Sequence, residues 1–182
     1  MWRRWKPPAC KCWPGWNIWL APAPRNRAVA EAAFAIRPLQ AGDYAGWLPL
    51  WRDYNAFYGR EGATALPEEV ERETWRRLLA PTEPMHGLAA VAGDALLGIA
   101  HLLYHRSTIQ IQDAAYLQDL YVAPTARGGG IARALLRAAA DRAREDGAAM
   151  LYWRTAGDNH TARRLYDQVA ELSDAVIYRQ VL

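Results

Sequence analysis

Residues 116–132 read YLQDLYVAPTARGGGIA and contain the clearest structural pattern of the chain. Residues 116–122 are rich in apolar and aromatic side chains and predict a β-strand that ends before Pro124. Three consecutive glycines follow, and residues 131–145 then carry the period of an amphipathic helix that is closed by Gly147. A strand, a glycine loop and a helix, in this order, therefore form the predicted central unit.

The glycine loop has the features of an anion-binding site. The first turn of a helix has four backbone N–H groups without internal partners, and the positive end of the helix macrodipole lies there. Glycines let the backbone approach an anion closely and adopt positive φ. Arg127 at the loop entrance adds a forked, charged donor for a phosphate oxygen. A plain strand-to-helix turn with flexible glycines is the alternative interpretation.

Two other kinds of glycine loop are excluded. A Walker loop places Gly-Lys-Ser/Thr before its helix, whereas Ile131 and Ala132 occupy that place in this chain. A dinucleotide-binding loop has three spaced glycines in an early βαβ unit and an acidic residue about 20 residues further on. Neither that spacing nor that context is present.

Residues 34–182 alternate between strand and helix patterns. Strands are predicted over residues 34–37, 88–91, 95–104, 116–122, 150–155 and 175–181, and helices over residues 41–58, 67–80, 131–145 and 159–169. Gly93 and Asp94 between two of the strands indicate a hairpin. This order of elements predicts one α/β domain, at residues 34–182, with helices packed on a mixed sheet.

Residues 1–33 differ from the rest of the chain in composition. They hold five of the nine tryptophans and five prolines, and neither a helical nor a strand period runs through them. We expect an irregular Trp/Pro-rich extension. Three other interpretations stay open: a secretory signal with a poor apolar region, a natural start near Val29, and a segment that associates with membranes or partner proteins.

Charge and cysteine content narrow the class of function. Residues 1–33 carry six basic and one acidic side chain, which leaves a net charge of −2 for residues 34–182. This does not favour a nucleic-acid partner. No run of 18 apolar residues occurs, so no membrane span is expected. Cys10 and Cys12 predict free thiols in a cytoplasmic protein rather than a metal site or a disulfide.

Two motifs in the second half of the chain resemble the GCN5-related N-acetyltransferase (GNAT) superfamily. Its pattern Arg/Gln-x-x-Gly-x-Gly/Ala is matched by Arg127, Gly130 and Ala132. The second signature is matched by Asn159-x-x-Ala162-x-x-Leu165-Tyr166. The resemblance covers about residues 34–182 and implies a mixed, mostly antiparallel central sheet flanked by helices. Residues 50–59 and 165–171 resemble the subgroup related to histone and polyamine acetyltransferases.

The resemblance implies direct transfer of an acetyl group from acetyl-CoA to the primary amine of a small amine, a polyamine, an amino acid or a basic peptide. Tyr166 would protonate the departing thiolate, a task that suits a phenol with a pKa near 10. The implied cofactor-binding residues are Leu120, Tyr121, Val122, Arg127, Gly128, Gly129, Gly130, Ile131, Ala132 and Asn159. No metal is implied, and relatives in the subgroup suggest a homodimer formed through the C-terminal strand region. A non-catalytic acyl-CoA-binding module is the alternative function.

The catalytic base and the acceptor pocket are predicted less directly. Asp119 is either the base or a residue that fixes a hydrogen-bond network, and both interpretations stay open. Gln118 stands where polyamine acetyltransferases often have glutamate, which weakens the case for a polyamine. Tyr54 and Tyr58 are expected to line an amine pocket by cation–π contact or, alternatively, to pack in the core. His101 is interpreted as a strand-packing residue.

Overall fold

The computed structural model describes residues 34–181, and the expected extension at residues 1–33 lies outside the described residues. Its domain boundary therefore stays a prediction. The strands are β1 Ala35–Pro38, β2 Met85–Ala92, β3 Ala95–His105, β4 Ala114–Val122 and β5 Met150–Trp153. The helices are α1 Tyr44–Phe57, α2 Glu68–Leu79, α3 Ile131–Glu145 and α4 His160–Tyr166. None of these helices is long and apolar enough to cross a membrane.

The strands form one sheet in the order β1-β2-β3-β4-β5. Neighbours are antiparallel from β1 to β4, and only β4 and β5 run parallel. The sheet is thus mixed and mostly antiparallel, which confirms the predicted fold class. The predicted hairpin between β2 and β3 is present, and Gly93 adopts a φ of 56° in its turn.

Each face of the sheet is covered by helices. Helix α3 buries Ile131, Leu135 and Leu136 against one face. Helix α1 buries Trp47, Leu50 and Trp51 against the other face, as its spacing of apolar residues predicts. Burial of each such side chain contributes roughly 1.5–3 kcal/mol, so the two layers fix the sheet between them.

A β-bulge in β4 changes which face its side chains occupy. His101 pairs with Asp119, but the next residue of β3, Leu102, pairs with Leu117, so Gln118 is the extra residue. Leu117 consequently packs on the α3 side of the sheet, whereas Asp119 two positions later lies on the α1 side. Without the bulge, residues two apart in a strand would share a face.

One edge of β4 is open beyond the bulge. Strand β5 pairs with β4 only over Ala114–Leu117, so the residues that follow have a strand neighbour on the β3 side alone. The N–H of Ala123 donates to the carbonyl oxygen of Leu97 at 2.9 Å, so the backbone polar groups of Ala123 point toward β3. By the alternation of such ladders, the N–H and C=O groups of Leu120 and Val122 point to the open side.

The predicted final strand at residues 175–181 is wrong. Residues 171–181 have no regular secondary structure, and the side chains of Val176 and Tyr178 are 74% and 93% exposed. A strand needs a neighbour for its backbone groups, and no other part of residues 34–181 pairs with this segment. The apolar run at residues 175–178 is therefore left without a strand neighbour within the described residues.

Candidate active site

The glycine loop presents a row of unpaired backbone donors. Gly128 and Gly130 have φ values of 84° and 83°, which other residues adopt only with strain. The first bond of α3 runs from the N–H of Ala134 to the carbonyl oxygen of Gly130. The N–H groups of residues 128–133 have no backbone acceptor in the described chain, and no side chain caps the helix. This arrangement suits a bound phosphate or pyrophosphate.

Arg127 joins this loop to the open edge of β4. Its Nε donates to the carbonyl oxygen of Val122 at 3.1 Å, and its guanidinium carbon lies 5.6 Å from the ring centroid of Tyr121. Its terminal nitrogens form no ion pair within residues 34–181. The guanidinium is thus held beside the loop with donors available for an anion.

The loop and the strand edge together fit acetyl-CoA. The unpaired amides at residues 128–133 and the guanidinium of Arg127 match the charge and donor needs of its pyrophosphate. The outward N–H and C=O groups of Leu120 and Val122 match the amides of its pantetheine arm, which needs strand-like partners. These are the residues that would hold the cofactor.

Helix α4 places two of the predicted residues. The Oδ1 of Asn159 accepts from the N–H of Ala162 at 3.3 Å, and its Nδ2 donates to Thr155 at 3.2 Å, so Asn159 caps α4. The ring of Tyr166, at the end of α4, packs edge-on against Trp153 with centroids 5.3 Å apart. Burial raises the pKa of Tyr166 to about 12, so its hydroxyl keeps its proton.

Asp119 belongs to a buried chain of hydrogen bonds. The indole N–H of Trp47 donates to Nε2 of His101 at 2.9 Å, and Nδ1 of His101 lies 2.8 Å from Oδ2 of Asp119. An indole nitrogen only donates, so Nε2 of His101 is the acceptor and its Nδ1 carries the hydrogen. His101 therefore donates to Asp119. His101 is 1% exposed, and beyond the packing role expected of it, it fixes the orientation of Asp119.

Tyr54 and Tyr58 lie close to Asp119. The hydroxyl of Tyr54 donates to the carbonyl oxygen of Gln118 at 3.1 Å, and its ring is 5.1 Å from that of Tyr58. Burial, followed by the charge of Asp119, raises the pKa of both phenols. Tyr58 also contributes to the raised pKa of Tyr166. The structure thus brings the predicted catalytic and acceptor residues into one region.

A cavity of about 350 Å³ opens beside Asp119. Its apolar wall contains Trp51, Leu66, Met85 and Leu103, and its polar wall contains Asn55, Arg60, Thr74, His101, Gln118 and Asp119. The rings of Tyr54 and Tyr58, which were expected to line an amine pocket, are not part of this lining. Arg60 was not predicted as a site residue, since an arginine just after a helix carries no distinguishing pattern.

Within residues 34–181, no three potential ligands from His, Cys, Asp and Glu are grouped to hold a metal ion.

We expect Gly130→Ala to weaken acetyl-CoA binding by roughly tenfold, because the added Cβ strains the amides that face the pyrophosphate. Gly147→Ala is a matched control, since Gly147 has a φ of 75° at the other end of α3. Both variants should lose about 1–2 kcal/mol of folding stability. Calorimetric titration with acetyl-CoA separates them, and equal affinities for the two variants would contradict the assignment of the loop.

The comparisons with known proteins agree with this geometry. The family model described as Acetyltransferase (GNAT) family matches residues 47–170. The chain is 34% identical over 148 residues to the D-amino-acid N-acetyltransferase HPA3 of Saccharomyces cerevisiae, covering 80% of this chain and 89% of that protein. It is 33% identical over 85 residues to a thialysine N-epsilon-acetyltransferase of Caenorhabditis elegans, covering 47% of this chain and 52% of that protein.

Solved structures share the fold. The crystal structure of a probable acetyltransferase superposes with a TM-score of 0.69 at 27% identity, over 81% of this chain and 96% of that one. An aminoglycoside N-acetyltransferase, AAC(6')-Iy in complex with CoA, superposes with a TM-score of 0.68 at 16% identity, over 81% and 94%. The family match and the yeast relative, on a fold with this loop and strand edge, show that the chain belongs to the GNAT family and is an acetyl-CoA-dependent N-acetyltransferase.

Proposed function

We propose that the acceptor is the primary amine of a small molecule, bound beside Asp119 and acetylated by direct attack on acetyl-CoA. The main support for this proposal is the buried carboxylate of Asp119, which His101 orients at the wall of a cavity of about 350 Å³. That volume lies at the lower end of the roughly 300–1,000 Å³ usual for small-molecule pockets. It favours a small amine over a basic peptide.

The names of two relatives favour an amino acid among small amines. One acts on D-amino acids and one on thialysine by their printed names. Gln118, in place of the glutamate often found in polyamine acetyltransferases, removes one carboxylate that a polyamine would need. The amino-acid assignment is therefore preferred within the proposal.

The residues have distinct roles in the proposed reaction. Acetyl-CoA supplies a thioester carbonyl that an amine can attack. Asp119 attracts the ammonium form of the acceptor and accepts its proton, directly or through water, so that the nitrogen lone pair forms the new C–N bond. The N–H of Val122, on the open edge of β4, donates to the oxyanion. Tyr166 donates its proton to the sulfur as the C–S bond breaks, and the second proton that the nitrogen loses on becoming an amide restores the phenol.

A panel of amines with acetyl-CoA, followed by release of free thiol, tests this function. The panel contains D- and L-amino acids, polyamines and a lysine-rich peptide. Thiol release that depends on small amines supports the proposal. Tight acetyl-CoA binding without release for any amine would instead support the non-catalytic acyl-CoA-binding module.

We also propose that two copies of the chain associate through residues 171–181. Val176, Ile177 and Tyr178 are exposed in this segment, although a continuous apolar run is typical of a buried strand, and a second copy can supply the missing strand neighbour. Light scattering should give twice the chain mass for the full protein and a single chain mass after truncation at Ala170. A single chain mass for both would contradict the dimer.

A further inference from the structure

The cavity beside Asp119 contains groups of opposite charge. Asp119 provides the carboxylate and Arg60 provides the guanidinium, and both belong to its lining. The imidazole of His101 also belongs to that lining, and both of its ring nitrogens are already used, since Nε2 accepts from Trp47 and Nδ1 donates to Asp119. The cavity therefore offers one negative and one positive group to whatever occupies it.

Arg60 is held in place by Asn55. Its Nε donates to Oδ1 of Asn55 at 2.7 Å, and its backbone N–H donates to the carbonyl oxygen of the same residue at 3.0 Å. The Nδ2 of Asn55 donates in turn to the carbonyl oxygen of Trp51 at 2.8 Å, and Asn55 is only 5% exposed. The guanidinium carbon also lies 5.6 Å from the ring centroid of Tyr58. These contacts orient the guanidinium before any ligand arrives.

The terminal nitrogens of Arg60 have no acceptor within residues 34–181. A nearby arginine shows the contrast, since Arg52 forms two hydrogen bonds of 2.7 Å to Glu71. Glu71 is thereby occupied and does not neutralise Arg60. An arginine with a fixed Nε and two available terminal nitrogens is suited to bind a carboxylate with two parallel hydrogen bonds.

We infer that Arg60 binds the carboxylate of the acceptor, which is therefore an amino acid with both charged groups in the cavity. This inference rests on the proposed function and names its substrate class. The ammonium lies against Asp119, the carboxylate lies against Arg60, and the apolar side chain contacts Leu66, Met85 and Leu103. Arg60 then determines specificity through the part of the acceptor that does not react.

Matched acceptors test the role of Arg60. Both enantiomers of leucine are compared with leucinamide and with 3-methylbutylamine, which keep the amine and the apolar side chain but lack the carboxylate. The enzyme should prefer one leucine enantiomer over both analogues that lack the carboxylate by about 10- to 100-fold in kcat/KM. Arg60→Ala should remove this preference by raising the KM for leucine, and kcat/KM for 3-methylbutylamine should change by less than about threefold.

Two further variants serve as controls. Arg60→Lys, which keeps the charge but not the forked geometry, should retain part of the preference. Arg72→Ala, which removes an exposed arginine of α2, should retain all of it. Equal kcat/KM for leucine and 3-methylbutylamine in the wild type, or an equal loss for both in Arg60→Ala, would overturn the inference while acetyl transfer to amines stands. No turnover with any amine would overturn the proposed function itself and this inference with it.

Discussion

Replacement of Asp119 by asparagine lowers kcat/KM for amine acceptors by about 100- to 10,000-fold, the contribution expected of a general base. The asparagine keeps the size of the side chain, and its Oδ1 still accepts from Nδ1 of His101, so the buried hydrogen bonds persist. What disappears is the negative charge that attracts the ammonium and accepts its proton. Acetyl-CoA should bind as before, because its predicted contacts lie on the glycine loop and the open edge of β4.

Asp43→Asn is the matched control for this variant. Asp43 is 9% exposed, close to the 7% of Asp119, and its carboxylate forms hydrogen bonds of 2.6 and 2.8 Å to Arg37. Arg37 holds the pKa of Asp43 below its usual range. Its replacement should lower the melting temperature and leave kcat/KM unchanged. A loss of less than about threefold for Asp119→Asn would show that Asp119 only fixes the local network.

The second large effect is expected for Tyr166→Phe, which should lower kcat by about 100-fold and leave the dissociation constant for acetyl-CoA unchanged. Phenylalanine keeps the edge-on contact with Trp153, so the fold is retained. Only the hydroxyl that protonates the departing sulfur is lost. Because the pKa of Tyr166 is raised to about 12, this group stays protonated between pH 7 and 10. The ratio of wild-type to variant kcat should therefore be constant over that range.

Steady-state kinetics with a saturating amine check this prediction, and Tyr152→Phe is the control. Tyr152 lies on β5 and has no role in the proposed reaction. Its hydroxyl lies 3.0 Å from Nε2 of His105. Its replacement should leave kcat unchanged. An unchanged kcat in Tyr166→Phe would show that Tyr166 is not the acid. Loss of acetyl-CoA binding in Arg127→Ala would show in the same series that the cofactor still binds at the glycine loop.

The part of the site that lies on contiguous sequence could be predicted. Helix α3 has the bounds expected from Gly130 before it and Gly147 after it, because both glycines adopt the positive φ that ends or begins a helix cleanly. The loop at residues 127–132 follows from the same residues. Residues close together in the sequence determine both the helix bounds and the loop, so one stretch of sequence was sufficient to predict them.

The environment of Asp119 could not be predicted in the same way. His101 reaches it because the bulge at Gln118 sets the register of β3 and β4. A bulge depends on the pairing of two strands, which neither strand specifies alone. The position of Arg60 in the site could not be predicted for a related reason, since its contact with Asn55 and its place in the cavity arise from packing. The wrong strand at residues 175–181 shows the opposite case, in which a strand pattern has no partner in the described chain.

Transfer of a labelled acetyl group distinguishes acetylation of an amine from hydrolysis or simple binding of acetyl-CoA. Acetyl-CoA with a ¹³C-labelled acetyl group is incubated with the protein and with D- or L-leucine, and the products are identified by mass spectrometry. We expect labelled N-acetylleucine in the same amount as free CoA, and we expect Asp119→Asn to suppress both. Release of CoA without labelled amide, or no release with either enantiomer while acetyl-CoA is bound tightly, would show that the protein does not acetylate this amine.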